Sequence, residues 1–331
     1  MHNPQPIFFG DPDWPLLGVY HPAQQEATEK PPPAATRAVV ICPPFGAEYM
    51  RTHRALRGIA LQLAARGIHV LRLDYRGTGD SGGWSHQVDS LRYWLQDIRL
   101  ATDQIQQLCG CSSSMLLGLR LGGSLASVVA AEDPQVNSLV LWEPIVDGGD
   151  YVARLRNLHG QLLDQWVDPL EPQPSPQGEE LLGSRYHHRL LDELKAFRLD
   201  MTGVSQPRLV IQLAGDRLPV EAAGDLDLVK HWLVDDPNTW YRLSELESLW
   251  LRPQTTRRIA DQIGDMFDRL KRLGCLELVE AANGSGLEQT PQQPTNGPAP
   301  SPIDWPAISD GAGWSPSHPL DLDVSGLGAG S

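Results

Sequence analysis

The chain has 331 residues, and its 27 Lys and Arg stand against 41 Asp and Glu, a net charge of −14. That length suits one large α/β domain with appendages, and the acidic balance argues against a nucleic-acid backbone or an anionic membrane surface as partner. The four cysteines are Cys42, Cys109, Cys111 and Cys275, too few for a disulfide framework and suited to a reducing, cytoplasmic setting.

The opening residues, MHNPQPIFFGDPD, lack a basic region and a long apolar run, so neither a secretory leader nor a membrane span is expected. Ile7 to Phe9 and Leu16 to Pro22 flank Asp-Pro-Asp and read as an antiparallel hairpin. After the Pro-rich EKPPPAAT, the run RAVVIC is a buried strand stopped by Pro43-Pro44. Leu56, Ile59, Ala60 and Leu63 recur at helical spacing until Gly67. IHVLRLDYRG is the next strand, and Leu91, Leu95, Ile98, Ile105 and Leu108 mark a second amphipathic helix. Cys109-Gly110-Cys111 follows; without a second ligand pair it is no zinc site, so these are ordinary thiols at a helix end, and no metal or cofactor is expected.

The run Leu116 to Ala126, LLGLRLGGSLA, predicts a buried strand over Leu116 to Leu119, a sharp turn, and a helix over Gly122 to Ala131. VNSLVLW is a further strand. From about Asp147 to Gly203 the strand–helix alternation lapses into a polar stretch expected to form a small helical cap. Alternation then resumes with PRLVIQLAGD and KHWLVDD, where His231 is expected ahead of a strand WLV. A last helix carries Ile259, Ile263, Met266, Phe267 and Leu270 on one face. Strands alternating with helices imply a mostly parallel sheet covered on both faces. The domain is expected to span 1–275, with an acidic Pro/Gly/Ser-rich tail over 276–331. From Glu280 on there is no Lys or Arg, and such a chain lacks the apolar surface to offset its conformational entropy, so the tail is expected to be disordered. The tail reads first as a passive, solvated segment; the alternative is a docking peptide for a protein partner at Ile303-Asp304-Trp305 and Trp314.

Two motifs bear on chemistry. Gly77 to Gly83, GTGDSGG, contains the letters found around the nucleophile of trypsin-like proteases, but it follows a strand in an α/β pattern, so Asp80 and Ser81 read as turn caps. Gly118-Leu119-Arg120-Leu121-Gly122 has the strand–turn–helix context of a nucleophile elbow, G-x-S-x-G, with arginine in place of serine.

PPFGAEYMRTHR, DYRGTGDSGG, GLRLGG and LVLWEPIVDGGDY, in that order, resemble an α/β-hydrolase subgroup called exosortase-A-system-associated hydrolase 2, or serine-aminopeptidase-like. The resemblance covers about Ile7 to Cys275 and implies an α/β-hydrolase fold beside exopolysaccharide export or protein sorting. In that fold the triad runs Ser, Asp or Glu, then His. Arg120 holds the nucleophile's place and has no lone pair to attack with. Asp216 matches the acid position, yet the loop after the last strand contains no histidine. The amides of Phe45 and Leu121 occupy the oxyanion-hole positions. Arg120, Glu48, Glu143 and Asp216 are expected at neighbouring strand ends. Arg120 there serves first as a buried ion-pair partner, second as an anion site on a helix N-terminus. His53 or His86 with Ser81, Ser85 or Ser124 would be a relocated catalytic pair, a reading the spacing does not support. Trp84, Trp94, Trp142, Trp232 and Trp240 are expected in the core or lining the pocket.

The expected function is therefore a degenerate hydrolase that binds a small acyl or carboxylate ligand or a protein partner. The alternative is an active carboxylic-ester or thioester hydrolase with a non-standard site.

Overall fold

A computed structural model of the chain describes residues 3–24, 37–165, 178–213, 229–234, Trp240 and 253–272. By spatial contact the chain divides into Met1–Ala281 and Ala282–Ser331; the described residues all belong to the first, and the expected tail lies outside them.

Strand β1 (Gln5–Asp11) turns at Pro12-Asp13 into β2 (Trp14–His21), and the two pair antiparallel with Ile7 opposite Gly18. β2 pairs antiparallel with β4 (His69–Leu73). Next to β4 come β3 (Ala38–Cys42), β5 (Ser114–Leu119), β6 (Val136–Trp142), β9 (Arg208–Leu213) and β10 (Val229–Val234), all parallel. The sheet order is thus β1-β2-β4-β3-β5-β6-β9-β10. Residues alternate faces along a strand, and β3 divides accordingly. Ala38, Val40 and Cys42 join one apolar core, while Val39 and Ile41 join the other. Burial on both faces explains why RAVVIC and SMLLGL read as unbroken apolar runs rather than alternating ones.

Helix α1 (Gly46–Ala64) lays Leu56, Ile59, Ala60 and Leu63 on the sheet, and the final helix, α6 (Pro253–Arg272), buries Ile259, Ile263, Phe267 and Leu270 beside it. Arg37–Asp268 (2.7 Å) and Arg66–Asp261 tie α6 to the start of β3 and the end of α1. The opposite face carries α2 (Leu91–Cys109) and α3 (Leu121–Glu132). Ser90 caps α2 by accepting from the Arg92 amide, and Gly110, at φ 70°, ends it.

Between β6 and β9 lie α4 (Gly148–Leu163), the strands β7 (Gly178–Leu181) and β8 (Ser184–His187), and α5 (His188–Ala196). The cap is therefore not purely helical. β7 and β8 form an antiparallel hairpin closed by Leu182-Gly183, at φ 54° and 80°. Two consecutive positive φ values are what a tight hairpin turn requires. Leu181 and Tyr186 face the core from it.

The segment Asp74 to Ser81 is a structural loop. Ser81 Oγ donates to the Asp74 carbonyl at 2.6 Å and accepts from the Leu17 amide at 2.8 Å, anchoring the loop to the hairpin. Arg76 Nε donates to buried Asp97 of α2 at 2.8 Å and its guanidinium stacks on Tyr93. Two expectations are corrected. Trp84 is 69% exposed: at Gly83, at φ 81°, the chain turns against the Trp14 ring, and Trp84 then faces outward ahead of a single 3-10 turn, 85–87. His231 does not precede the last strand but is its third residue. Trp94, Trp142 and Trp240 are buried, and Trp232 is half-buried.

Candidate active site

β5 ends at Leu119 and α3 begins at Leu121, so a single residue, Arg120, makes the turn, at φ 55° and ψ −126°. That backbone region costs a non-glycine residue on the order of 1–3 kcal/mol and persists only where packing imposes it. The packing is visible at the adjacent glycines. A Cβ on Gly122 would lie 2.3 Å from the carbonyls of Cys42 and Pro43, and one on Gly118 would lie 2.3 Å from Gly123 Cα. The turn is pressed against the end of β3, where Phe45 precedes α1.

Arg120 is 2% exposed. Its Nε donates to Glu48 Oε1 at 3.1 Å, and its Nη1 donates to the Glu143 carbonyl at 3.3 Å. The guanidinium carbon lies 5.0 Å from the ring centre of Trp240. Glu48 sits in the first turn of α1, where the helix dipole favours a carboxylate. It is 3% exposed, and its second oxygen accepts from the Tyr151 hydroxyl of α4 at 3.4 Å. Burial and the neighbouring Glu48 charge push the Tyr151 phenol well above its ordinary value, as burial and Glu48 also do for Tyr186 of β8. Tyr186 packs edge-on against Phe45, with ring centres 5.0 Å apart. A Cβ on Gly46, at φ 63°, would lie 2.5 Å from the Tyr186 hydroxyl oxygen. The cap thus reaches the elbow through two tyrosines.

Of the sequence-derived site residues, the structure brings together Arg120, Glu48 and the Glu143 backbone, with Phe45 and Leu121 at the adjoining loop and helix start. Glu143 is 5% exposed and sits at φ 49° after β6. Asp216 and most of the chain between β10 and α6 lie outside the described residues. Tyr151 and Tyr186 were missed by sequence reasoning: Tyr151 stands inside the quoted DGGDY, whereas nothing local marks Tyr186.

Of the relocated-site residues, Ser81 anchors the loop after β4, and Ser85 and His86 lie in the 3-10 turn that follows Trp84. Ser124 Oγ donates to the Ile145 carbonyl at 2.7 Å. His53 is exposed on α1 with Nδ1 at 3.1 Å from the Met50 carbonyl. His187 caps α5 by accepting from the Arg189 amide, and His188 is exposed. His159 accepts from the Leu182 amide at 3.2 Å. Among the described residues there is no group of three His, Cys, Asp or Glu side chains able to hold a metal ion, and no helix long and apolar enough to cross a membrane.

A mostly parallel eight-stranded sheet with an antiparallel second strand, a one-residue turn from β5 into α3, and a cap inserted after β6 define an α/β-hydrolase fold. The chain belongs to the family described as serine aminopeptidase, S33, whose model matches residues 33–213. Solved structures agree at the level of fold. A putative hydrolase from Agrobacterium vitis S4 is 19% identical, with TM-score 0.50, covering 80% of this chain and 98% of its own. Est1E from Butyrivibrio proteoclasticus, seen with ferulic acid bound, is 17% identical with TM-score 0.51 over 77% and 98%. The α/β hydrolase GrgF from Penicillium sp. sh18 is 16% identical with TM-score 0.53 over 81% and 99%. No curated protein matches the chain.

Proposed function

We propose that this protein is a non-catalytic member of its family, working by binding rather than by acyl transfer. The observation that carries this reading is the residue at the elbow. The strained backbone that would present a serine hydroxyl instead presents a guanidinium, buried and paired with Glu48. A guanidinium neither attacks a carbonyl nor takes a proton. No histidine follows β10 until His318, so a serine placed at position 120 would lack its base. The pairing with Glu48 also weakens the case for Arg120 as a site for a carboxylate ligand, because an incoming anion would have to displace a carboxylate already held in a buried place. That favours a protein partner over a small carboxylate ligand. The finer placement with the exosortase-A-system-associated hydrolase 2 subgroup rests on the motifs around Pro43, Asp74, Gly118 and Glu143, and the cytoplasmic setting rests on the low cysteine usage.

The test is turnover of p-nitrophenyl acyl esters and labelling by a fluorophosphonate probe, on the parent and on Arg120→Ser. Neither protein should hydrolyse or label above the uncatalysed background. Serine labelling of the parent would overturn the reading in favour of an active ester or thioester hydrolase. Turnover by the variant alone would mean that a histidine elsewhere reaches the elbow.

A further inference from the structure

Away from the elbow, α2 ends in two thiols held together. Cys109 is the last residue of α2, Gly110 occupies the left-handed region at φ 70° and ψ 24°, and Cys111 follows. The glycine folds the chain back, so the two sulfurs lie 2.9 Å apart. Cys109 is half-buried at the surface, and Cys111, 8% exposed, packs into the core. We infer that Cys109 and Cys111 form a peroxide-sensitive dithiol, with Cys109 the attacking thiol and Cys111 the resolving one.

The geometry chooses between the chemistries open to two adjacent thiols. A disulfide bond is about 2.05 Å long, so closure needs the sulfurs to approach by less than an ångström. Two thiolates around a tetrahedral metal ion sit about 3.7 Å apart, which would push this pair open, and among the described residues no third ligand stands by. The order of attack also follows from the arrangement. Cys109 is the reachable sulfur, and the hydrogen bond between the two sulfurs lowers the Cys109 pKa, favouring its thiolate. The same hydrogen bond, with burial, raises Cys111. Tyr20 lies near the pair, and its phenol, raised to about 12 by burial and the nearby thiols, stays protonated and bound to His69 Nδ1 at 2.6 Å. It supplies no competing base. In the first step the Cys109 thiolate attacks one oxygen of a hydroperoxide; the O–O bond breaks, hydroxide or alkoxide leaves and is protonated, and Cys109 becomes a sulfenic acid. In the second, the Cys111 sulfur attacks the Cys109 sulfur, the S–O bond breaks and water leaves. Two thiols are oxidised to one disulfide and one hydroperoxide is reduced.

The experiment treats the reduced full-length protein with one equivalent of hydrogen peroxide and follows intact mass and the peptides spanning each cysteine. The expected product is a loss of about 2 Da confined to the peptide holding Cys109 and Cys111, forming at least about tenfold faster than any change at buried Cys42. Cys111→Ser should accumulate a dimedone-reactive sulfenic acid on Cys109, whereas Cys109→Ser should lose the fast phase. Melting of each variant beside the parent shows that it is folded. Oxygen addition to Cys109 and Cys111 without the mass loss, or equal rates at Cys42 and Cys109, would overturn the inference. Both of those outcomes are read on the parent protein, so they hold whether or not a variant folds.

Discussion

At position 120 a nucleophile's backbone carries a residue that cannot be a nucleophile, and the consequence is electrostatic. Removing one partner of a buried ion pair leaves the other charge uncompensated and costs about 3–5 kcal/mol. Arg120→Ser should therefore lower stability by roughly 3 kcal/mol or more, since Glu48 keeps only the long Tyr151 hydrogen bond among its described partners. Glu48→Gln removes the charge but retains an acceptor for the guanidinium, and should be milder. If the pair is the reason for these losses, the double variant Arg120→Ser with Glu48→Gln will be more stable than the sum of the single changes implies. Thermal and urea unfolding of the parent, the two single variants and the double variant measures that coupling. Strict additivity would mean that the two side chains do not support one another.

The elements around the elbow make their own predictions. Gly122 opens α3 against the end of β3, where a Cβ would meet two carbonyl oxygens at 2.3 Å. Backbone cannot move aside as a side chain tip can, so Gly122→Val should cost on the order of 2 kcal/mol or more, read as a lower melting temperature. An unchanged melting point would mean the close packing is absent. On the other edge, β2 and β4 share a buried charge-sensitive pair: His21 Nε2 accepts from Arg72 Nε at 3.2 Å. His21 is 1% exposed, and burial, with Arg72 and Arg57, lowers its pKa from 6.5 to about 4. The folded state therefore binds fewer protons than the unfolded chain between those values. This contribution to stability is complete above about pH 6.5 and is lost as pH falls toward 4. His21→Gln keeps an acceptor for Arg72 and does not titrate, so about 2 kcal/mol of the parent's loss between pH 7 and pH 5 should be absent from the variant. Parallel stability curves for the two proteins would rule out His21 as the titrating group. These strands and helices were legible because their cause is local: continuous apolar runs for two-faced strands, helical spacing for α1, α2 and α6, glycines at the elbow. The cap hairpin was not, because its strands have four residues each and its turn uses Leu182 at a positive φ, which no turn propensity announces.

Over the whole molecule, the arginine for serine at the elbow was legible because it breaks a spaced motif. Its partners were less so: Glu48 precedes Arg120 by 72 residues, and Tyr151 follows Glu48 by 103. Contacts across such separations come from topology, which places the ends of β3, β5 and β6 side by side, and not from any local pattern. Tyr186 shows the limit, since only the cap's folding over Gly46 makes it part of the site. The same separation of local from global bears on the C-terminal tail. The two apolar cores are assembled from elements between β1 and α6, and α6 ends at Arg272. Beyond Glu280 the sequence has no cation to pair with the acidic body and no periodic apolar face to bury. A chain ending at Ala281 should thus unfold with the melting temperature and urea midpoint of the full-length protein, because the sequence removed has no periodic apolar face for a core to bury. The urea slope adds a second check, as it scales with the surface exposed on unfolding. A lower midpoint with a smaller slope in the shortened protein would show that Ile303, Trp305 or Trp314 is buried against the body, and that the tail belongs to the folded unit rather than to a partner's surface.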